Sequence, residues 1–148
     1  MLIRQACAAD LDALTALFDG YRIFYGQPSD PAGARAFLAE RLERQQSTIL
    51  LALGDDGAPL GFTQLYPSFT SIGMQRIFIL NDLFVVPEAR RQGVGKALLA
   101  AAAQHGRAQG AARLTLSTAR DNRTAQRVYE ASGWQRDELF FNYHLALA

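Results

Sequence analysis

The sequence predicts a mixed α/β fold, and three features carry that prediction. A nearly continuous apolar run over residues 76–86 is typical of a central strand that is covered on both faces. A basic loop with glycines follows this run, and an alanine-rich segment with helical spacing of its apolar residues follows the loop. Further alternating segments complete the element order βααβββαβαβ, which we interpret as a single domain over residues 1–148.

Capping and turn residues separate the elements in the first half of the chain. Asp10 is a candidate N-cap for the first helix, Gly26 and Pro28 end that helix, and Pro31 suits the start of the second. The pair of strands that follows flanks a turn of Asp-Asp-Gly, as in a hairpin. The predicted ranges are Leu2–Gln5 (strand), 11–25 (helix), 31–45 (helix), 48–53 (strand) and 60–66 (strand).

The second half of the chain alternates strands and helices. After the central strand, a long helix begins at Val94 and stops before Gly110. Apolar and polar residues then alternate in the last segment of the chain, as they do in a half-buried strand. The further predicted elements are Leu114–Thr118 (strand), Thr124–Ala131 (helix), a small strand at Trp134, and Asn142–Leu147 (strand).

Composition excludes several classes of protein. The chain has 148 residues and a formal net charge of +1, from 15 basic and 14 acidic side chains, so no broad surface for nucleic acid or anionic membrane is expected. The single cysteine, Cys7, cannot close an intrachain disulfide or hold structural zinc, and no metal site is predicted. The N-terminus lacks the apolar run of a signal peptide, and no segment is long enough for a membrane span. We therefore expect a cytoplasmic protein.

The loop after the central strand has the composition of a phosphate-binding site. It reads Arg90-Arg91-Gln92-Gly93-Val94-Gly95-Lys96. Glycine lets backbone N–H groups approach an anion, and the following helix presents its positive end. The spacing excludes a Walker P-loop, because Ala97 follows Lys96, and a Rossmann fingerprint, because Leu98 stands where a third glycine is required. The alternative is a glycine turn with solvated arginines.

A second segment combines a helix cap with a phenol. It reads Asn122-Arg123-Thr124-Ala125-Gln126-Arg127-Val128-Tyr129 and precedes Gly133-Trp134. Asn122 can cap the helix, and Tyr129 lies seven residues further, about two turns along the same face. Its hydroxyl is therefore a candidate contact for a ligand held at the start of the helix. In the alternative interpretation Tyr129 only packs its ring.

Together, these two segments resemble those of the GNAT superfamily of acetyl-CoA-dependent N-acetyltransferases. The glycine loop matches at Arg90, Gly93 and Gly95, and the second motif matches at Asn122, Ala125 and Tyr129. The resemblance implies the GNAT fold, with a mostly antiparallel sheet of about six or seven strands, splayed central strands and about four helices. It also implies acetyl-CoA as cosubstrate and a homodimer. The implied cofactor-binding residues are Leu83, Phe84 and Val85 for the pantetheine arm, Arg90, Arg91, Gln92, Gly93, Val94, Gly95 and Lys96 for the pyrophosphate, and Asn122, Ala125 and Tyr129.

Two side chains are predicted to take part in catalysis. The phenol of Tyr129, with an ordinary pKa near about 10, suits protonation of the departing thiolate. Asp82 is the preferred general base or substrate anchor, and its alternative is a buried carboxylate with its own hydrogen-bond partners. The family likeness implies that backbone N–H groups of 83–85 stabilise the oxyanion. Direct attack in a ternary complex is favoured over acylation of Cys7, which has no histidine near it in the sequence.

The acceptor is predicted to be the primary amine of a small molecule, either diamine-like or amino-acid-like. Aromatic residues at the end of the first helix and polar residues of the central strand form the expected pocket, namely Tyr21, Phe24, Tyr25, Asn81 and Asp82, with Tyr66 and Phe69 nearby. The segment ILNDLFV resembles the LEDFFV of diamine acetyltransferases, although asparagine at position 81 replaces their glutamate. The alternatives are acetylation of a protein lysine or N-terminus, acetylation of aminoacyl-tRNA, and a non-catalytic acyl-CoA-binding module.

Overall fold

The structure is a computed structural model that describes residues 1–148. The chain forms two compact units, Met1–Ser117 and Thr118–Ala148. None of the helices combines the length and the apolar character that crossing a bilayer requires. The two units are described in turn, beginning with the sheet-containing first unit.

The first unit contains a five-stranded sheet with helices between its strands. The strands follow one another in chain order across the sheet; all neighbours are antiparallel except the last pair, which is parallel. The mixed, mostly antiparallel sheet confirms the predicted fold class, with five strands instead of six or seven. Its elements are β1 (Leu2–Gln5), α1 (Leu11–Phe24), α2 (Pro31–Glu43), β2 (Thr48–Leu53), β3 (Pro59–Thr70), β4 (Gln75–Val85), α3 (Val94–Ala108) and β5 (Leu114–Thr115).

Local hydrogen bonds fix the connection between α1 and α2. The side chain of Asp30 caps α2 by accepting from the N–H of Gly33 at 3.0 Å, and Pro31 supplies the preset φ of a first helical residue. Asp19, near the end of α1, accepts from the Ser29 hydroxyl at 2.7 Å and from the Asp30 N–H at 2.8 Å. The connection between the two helices is therefore held by α1 itself.

The core lies between the sheet and its helices. Leu14, Leu17 and Leu38 from α1 and α2 pack with Leu51 and Phe62 from the sheet, all nearly without exposed surface. Helix α3 buries Leu98, Leu99 and Ala102, which recur at helical spacing. The alanine-rich segment therefore forms a helix with one buried face, and Val94 and Leu98 of the predicted stripe lie on that face.

The second unit contains one helix, α4 (Arg123–Ala131). The predicted small strand at Trp134 and the predicted strand at 142–147 do not form, and β5 ends at Thr115 instead of Thr118. A strand is stable only when a neighbour accepts and donates its backbone hydrogen bonds. Neither segment forms a paired strand, so these predictions, made from alternation alone, are wrong.

Candidate active site

An open strand edge lies in the middle of the sheet. β4 pairs with β3 along its length, from Thr70↔Gln75 to Gly61↔Val85, but with β5 only at Phe78↔Leu114 and Ile79↔Thr115. Residues 80–85 of β4 therefore have a strand on one side only. This is the separation of central strands that the family resemblance implies.

The hydrogen-bond alternation of an antiparallel pair decides which residues face that open edge. The N–H of Val86 donates to the carbonyl of Leu60 at 2.9 Å, so this pair is a hydrogen-bonded one. Bonded and non-bonded pairs alternate, so the backbone groups of Phe84 point toward β3 and those of Leu83 and Val85 point away from it. Leu83 and Val85 thus offer N–H groups at the open edge, whereas the Phe84 side chain is 8% exposed and belongs to the core.

A β-bulge shapes the same part of β4. Gln64 pairs with Asp82 and Leu65 pairs with Leu80, so Asn81 is the extra residue. A bulge bends its strand and increases the local twist. The side chain of Asn81 is exposed, while that of Asp82 is 4% exposed. Asn81 and Asp82, although adjacent in the chain, therefore lie in different surroundings.

The glycine loop enters α3 in an unusual backbone conformation. Arg91 has φ +62° and Gly93, the N-cap residue of α3, has φ +81°, which is the left-handed region that favours glycine. No side chain caps α3. The first N–H groups of a helix have no partner within the helix, and here they are available to an anion.

Gly95 has no packing reason to be glycine. A Cβ built on it meets only Val85 Cγ2, at 3.8 Å, which is ordinary van der Waals contact. Gly95 is helical and lies in the first turn of α3. The uncapped helix end and this unfilled space fit the close approach of a phosphate group, as the predicted pyrophosphate site requires.

Arg90 ties the loop to the end of β4. Its Nε donates to the carbonyl of Val85 at 3.0 Å, and its guanidinium lies 5.4 Å and 5.7 Å from the ring centroids of Phe24 and Phe84. Arg91, Gln92 and Lys96 are exposed, and Val94 is buried against the core. The loop therefore combines one anchored arginine with exposed polar and basic side chains.

Asp82 lies in a buried polar network. Its carboxylate accepts from Gln64 Nε2 at 2.5 Å and from Asn81 Nδ2 at 3.0 Å. Gln64, which is fully buried, accepts in turn from the Ser47 hydroxyl at 2.7 Å. The sequence interpretation missed Gln64, although a lone amide within the apolar strand 60–66 is the same kind of signal that singled out Asp82.

The half-buried Tyr66 lies close enough to Asp82 and to the mostly buried Arg41 for both charges to act on its hydroxyl. Burial, and then the nearby carboxylate of Asp82, raise the pKa of Tyr66 to about 12, while Arg41 acts in the opposite direction. The Arg41 guanidinium lies 4.4 Å from the Phe37 ring centroid and forms an ion pair with Glu40. Nothing in the sequence distinguishes Arg41 from Arg35, the other arginine of its helix.

Aromatic side chains at the end of α1 lie next to β4. The Tyr21 hydroxyl donates to the backbone carbonyl of Asn81 at 3.3 Å, and the Tyr21 ring packs edge-on against Tyr25 and Phe84. Phe24 and Tyr25 keep more than half of their surface exposed. The structure therefore brings the predicted acceptor residues of α1 together with Asn81, whereas Phe69 lies at the far end of β3, opposite Arg76.

In the second unit, the helix motif has the predicted local structure. Asn122 Oδ1 accepts from the N–H of Ala125 at 3.3 Å and caps α4. The Tyr129 ring lies 6.1 Å from the Trp134 ring, measured between centroids. The cap is thus confirmed, and the role of the Tyr129 hydroxyl stays a prediction.

One cavity of the first unit lies away from these residues. It has a volume of about 900 Å³ and is lined by Cys7, Glu43, Arg76, His105 and neighbouring residues. None of the predicted site residues lines it. Burial lowers the pKa of His105, whose ring packs on Phe78 with centroids 5.3 Å apart.

Comparison with known proteins gives a consistent result. Residues 14–134 match the acetyltransferase (GNAT) family. The chain is 51% identical over 145 residues to the uncharacterized N-acetyltransferase YhfO of Bacillus subtilis, with 98% of this chain and 97% of that protein covered. The crystal structure of a probable acetyltransferase superposes with a TM-score of 0.95 at 48% identity, covering 100% and 99% of the two chains. The structure of AAC(6')-Iy in complex with the bisubstrate analog CoA-S-monomethyl-acetylneamine gives a TM-score of 0.80 at 25% identity, covering 98% and 97%.

Proposed function

This chain belongs to the acetyltransferase (GNAT) family and is an acetyl-CoA-dependent N-acetyltransferase, and from that premise we propose that its acceptor is a primary amine of a small molecule. The likeness to AAC(6')-Iy, an aminoglycoside N-acetyltransferase, supports an acceptor that carries several amines. The observation that carries the proposal is the open edge of β4, which the loop of residues 86–93 connects to the uncapped N-terminus of α3.

We propose that the cosubstrate lies along this edge. Its pyrophosphate would accept from the N–H groups of 94–96, and Arg91 and Lys96 would supply positive charge. Leu83 and Val85 would hold the pantetheine amide groups by hydrogen bonds of the kind that a neighbouring strand makes. When bound, the thioester supplies the acyl group.

The acceptor side is proposed to select a cationic amine. Phe24 and Tyr25 present exposed aromatic surface, which attracts an ammonium group. Asp82 lies behind Asn81 and adds negative potential at short range. An amine with several positive charges would gain from both effects, and a neutral acceptor would gain from neither.

Three groups are proposed to act in the transfer itself. Tyr129 donates a proton to the leaving sulfur, and the N–H groups at the β4 edge stabilise the oxyanion. Asp82 receives the proton of the acceptor ammonium, directly or through water, because an amine with a pKa near about 10 is mostly protonated at neutral pH. The acceptor nitrogen attacks the thioester directly, with no acyl-enzyme.

The test is thiol release from acetyl-CoA across a panel of aminoglycosides, linear polyamines, amino acids and peptides. We expect saturable turnover with a small polyamine or aminoglycoside. Turnover with peptides alone would favour acetylation of a protein lysine or N-terminus. CoA binding without turnover on any amine would favour a non-catalytic acyl-CoA-binding module and would contradict the proposed acceptor class.

Tyr129→Phe tests the proton donor within the same assay. We expect kcat to fall by roughly 10²-fold or more, with the dissociation constant for CoA unchanged, because only the hydroxyl is lost. Tyr143→Phe is the matched control, since Tyr143 is an exposed tyrosine of the same unit outside the motif. Equal turnover by the two variants would exclude Tyr129 as the donor. We further propose that the working form is a cytoplasmic homodimer.

A further inference from the structure

Three of the four buried polar side chains of the protein form one cluster on β3 and β4. They are Thr63, Gln64 and Asp82, and the fourth, Asp19, belongs to the connection between α1 and α2. Thr63 Oγ1 donates to the backbone carbonyl of Asp82 at 2.8 Å, and Gln64 Nε2 donates to its carboxylate at 2.5 Å. Both buried polar residues of β3 therefore donate hydrogen bonds to Asp82.

The chemistry of its partners decides which way round the Gln64 amide lies. An ionised carboxylate can only accept hydrogen bonds, so the NH2 group of Gln64 faces Asp82 and the amide oxygen faces away. That oxygen accepts from the Ser47 hydroxyl at 2.7 Å. Ser47, Gln64 and Asp82 therefore form a chain of hydrogen bonds with one direction, and it ends on Oδ2 of Asp82.

Packing alone does not call for an amide at position 64. Gln64 has no exposed surface, and its neighbours on β3, Phe62 and Leu65, are apolar and equally buried. A buried amide costs free energy unless its groups are hydrogen-bonded, whereas an apolar side chain of similar size adds to the core. The amide is therefore explained by the carboxylate of Asp82 and not by the packing of the strand.

The hydrogen bonds of Asp82 give its two oxygens different surroundings. The torsion that turns a carboxylate about its last bond is soft, so the bond from Gln64 to Oδ2 is what holds the carboxylate plane. The other oxygen, Oδ1, accepts from Asn81 Nδ2 at 3.0 Å, and Asn81 is exposed. The Tyr21 hydroxyl, which belongs to the expected acceptor pocket, donates to the Asn81 carbonyl at 3.3 Å. Oδ1 therefore lies on the side of the exposed Asn81, and Oδ2 on the buried side.

We propose that Gln64, held by Ser47, is a positioning residue that turns Oδ1 of Asp82 toward the acceptor amine. This inference rests on the proposed function, in which Asp82 receives the proton of the acceptor ammonium. In that step the proton passes from the ammonium nitrogen to Oδ1, directly or through water, and the N–H electron pair stays on nitrogen for attack on the thioester. The bond from Gln64 keeps Oδ2 occupied, so the proton goes to Oδ1.

Ser47→Ala tests the outer end of the hydrogen-bond chain. Ser47 is half-buried, and the change removes only the hydroxyl that orients Gln64. We expect kcat to fall by roughly 2- to 12-fold, the effect of one neutral hydrogen bond, with the dissociation constant for CoA unchanged. Ser47→Thr keeps a hydroxyl and should restore kcat. Equal kcat in Ser47→Ala and the parent protein would overturn the proposal.

Ser29→Ala is the matched control for the loss of a serine hydroxyl. The Ser29 hydroxyl donates to the buried Asp19 at the same distance, 2.7 Å, in the connection between α1 and α2. A thermal melt of each variant measures the structural cost of the lost bond. We expect kcat of Ser29→Ala to equal that of the parent. An equal fall of kcat in both serine variants would show a general effect of stability and would contradict the positioning role.

An exchange of the two buried side chains separates the position of the carboxylate from the hydrogen bond itself. Gln64→Glu combined with Asp82→Asn keeps both side-chain lengths and puts the carboxylate on β3, where it can accept from the new amide and from Ser47. We expect this double variant to melt closer to the parent than Asp82→Asn does, with kcat lower than that of the parent by roughly 10²-fold or more. Turnover equal to that of the parent would overturn the proposal, because the carboxylate would then not need to stand on β4.

Turnover by the parent protein separates this proposal from the proposed function. If only peptides are acetylated, the proposed acceptor class fails, whereas a lower kcat of Ser47→Ala with the peptide as acceptor still supports the positioning role. If small amines are acetylated and Ser47→Ala equals the parent, the proposed function holds and the positioning role fails. CoA binding without turnover on any amine contradicts both.

Discussion

Gly95→Ala separates a glycine kept for ligand binding from one kept for folding. The added Cβ meets only Val85 Cγ2, at 3.8 Å, and the residue already has a helical conformation. Alanine restricts the unfolded chain and favours the helix, so the variant should be more stable by about 0.4–1 kcal/mol. For a chain of this size, that corresponds to a melting temperature higher by roughly 1–4 °C.

The same variant should bind CoA less well. A methyl group in the first turn of α3 keeps a phosphate from approaching the N–H groups there. Loss of one hydrogen bond to a charged group costs about 1.5–3 kcal/mol, or roughly 10- to 150-fold in the dissociation constant. Calorimetric titration with CoA and a thermal melt of the same sample measure both effects.

Gly106→Ala is the matched control on the same helix. Gly106 lies about 16 Å along α3 from Gly95, and a Cβ there comes within 3.1 Å of Leu114 Cδ2. We expect unchanged CoA affinity and no gain in stability. A Gly95→Ala protein that melts at a lower temperature would mean that the glycine is structural. Unchanged CoA affinity in that protein would refute a phosphate site at the start of α3.

Three further predictions concern carboxylates and a histidine. Asp82→Asn places an amide against the amides of Gln64 and Asn81. The free energy of unfolding, measured in denaturant, should fall by about 1–3 kcal/mol, and kcat/KM should fall as well. A variant that is equally stable and fully active would contradict this. The ion pair with Arg4 lowers the pKa of Asp10 below its ordinary 3.8. The stabilisation of the fold by this pair therefore holds above pH 3.8 and is lost as the pH falls below it. Asp10→Asn should flatten the acid side of a plot of melting temperature against pH. Burial lowers the pKa of His105 below its ordinary 6.5, so the folded state favours the neutral ring. The protein should therefore lose stability as the pH falls below 6.5. Thermal melts of His105→Leu should not show this loss.

Most of the first unit follows from local patterns in the sequence. Pro31 and the turn glycines mark the helix limits, and the apolar periodicity of α1 and α3 indicates which face is buried. Asp10 is the N-cap residue of α1, as predicted, but its side chain makes no capping hydrogen bond, whereas Asp30, which was not predicted, caps α2. The glycine loop lies between a buried strand and a helix, as predicted, because its conformation depends on the backbone of its own residues. These features need only neighbours within a few turns of the chain.

The polar network around Asp82 depends on contacts that are distant in the sequence. Gln64 reaches Asp82 across 18 positions of the chain, and Ser47 reaches Gln64 across 17. Pairing between strands brings these residues together, and their register is set by a bulge at Asn81 that no local pattern marks. Asp82 was therefore a predicted site residue, whereas the partners that hold it were not foreseen.

The sequence by itself determined the family, the fold class and the position of the glycine loop, because glycine, charge and periodicity act over short stretches of backbone. Only the tertiary structure decided that β4 has an open edge, that Leu83 and Val85 face it, and that Arg90 anchors the loop. It also decided that the alternating residues at 142–147 form no strand in the single chain. Alternation specifies which side chains face a core, but a strand forms only where a second strand accepts its hydrogen bonds.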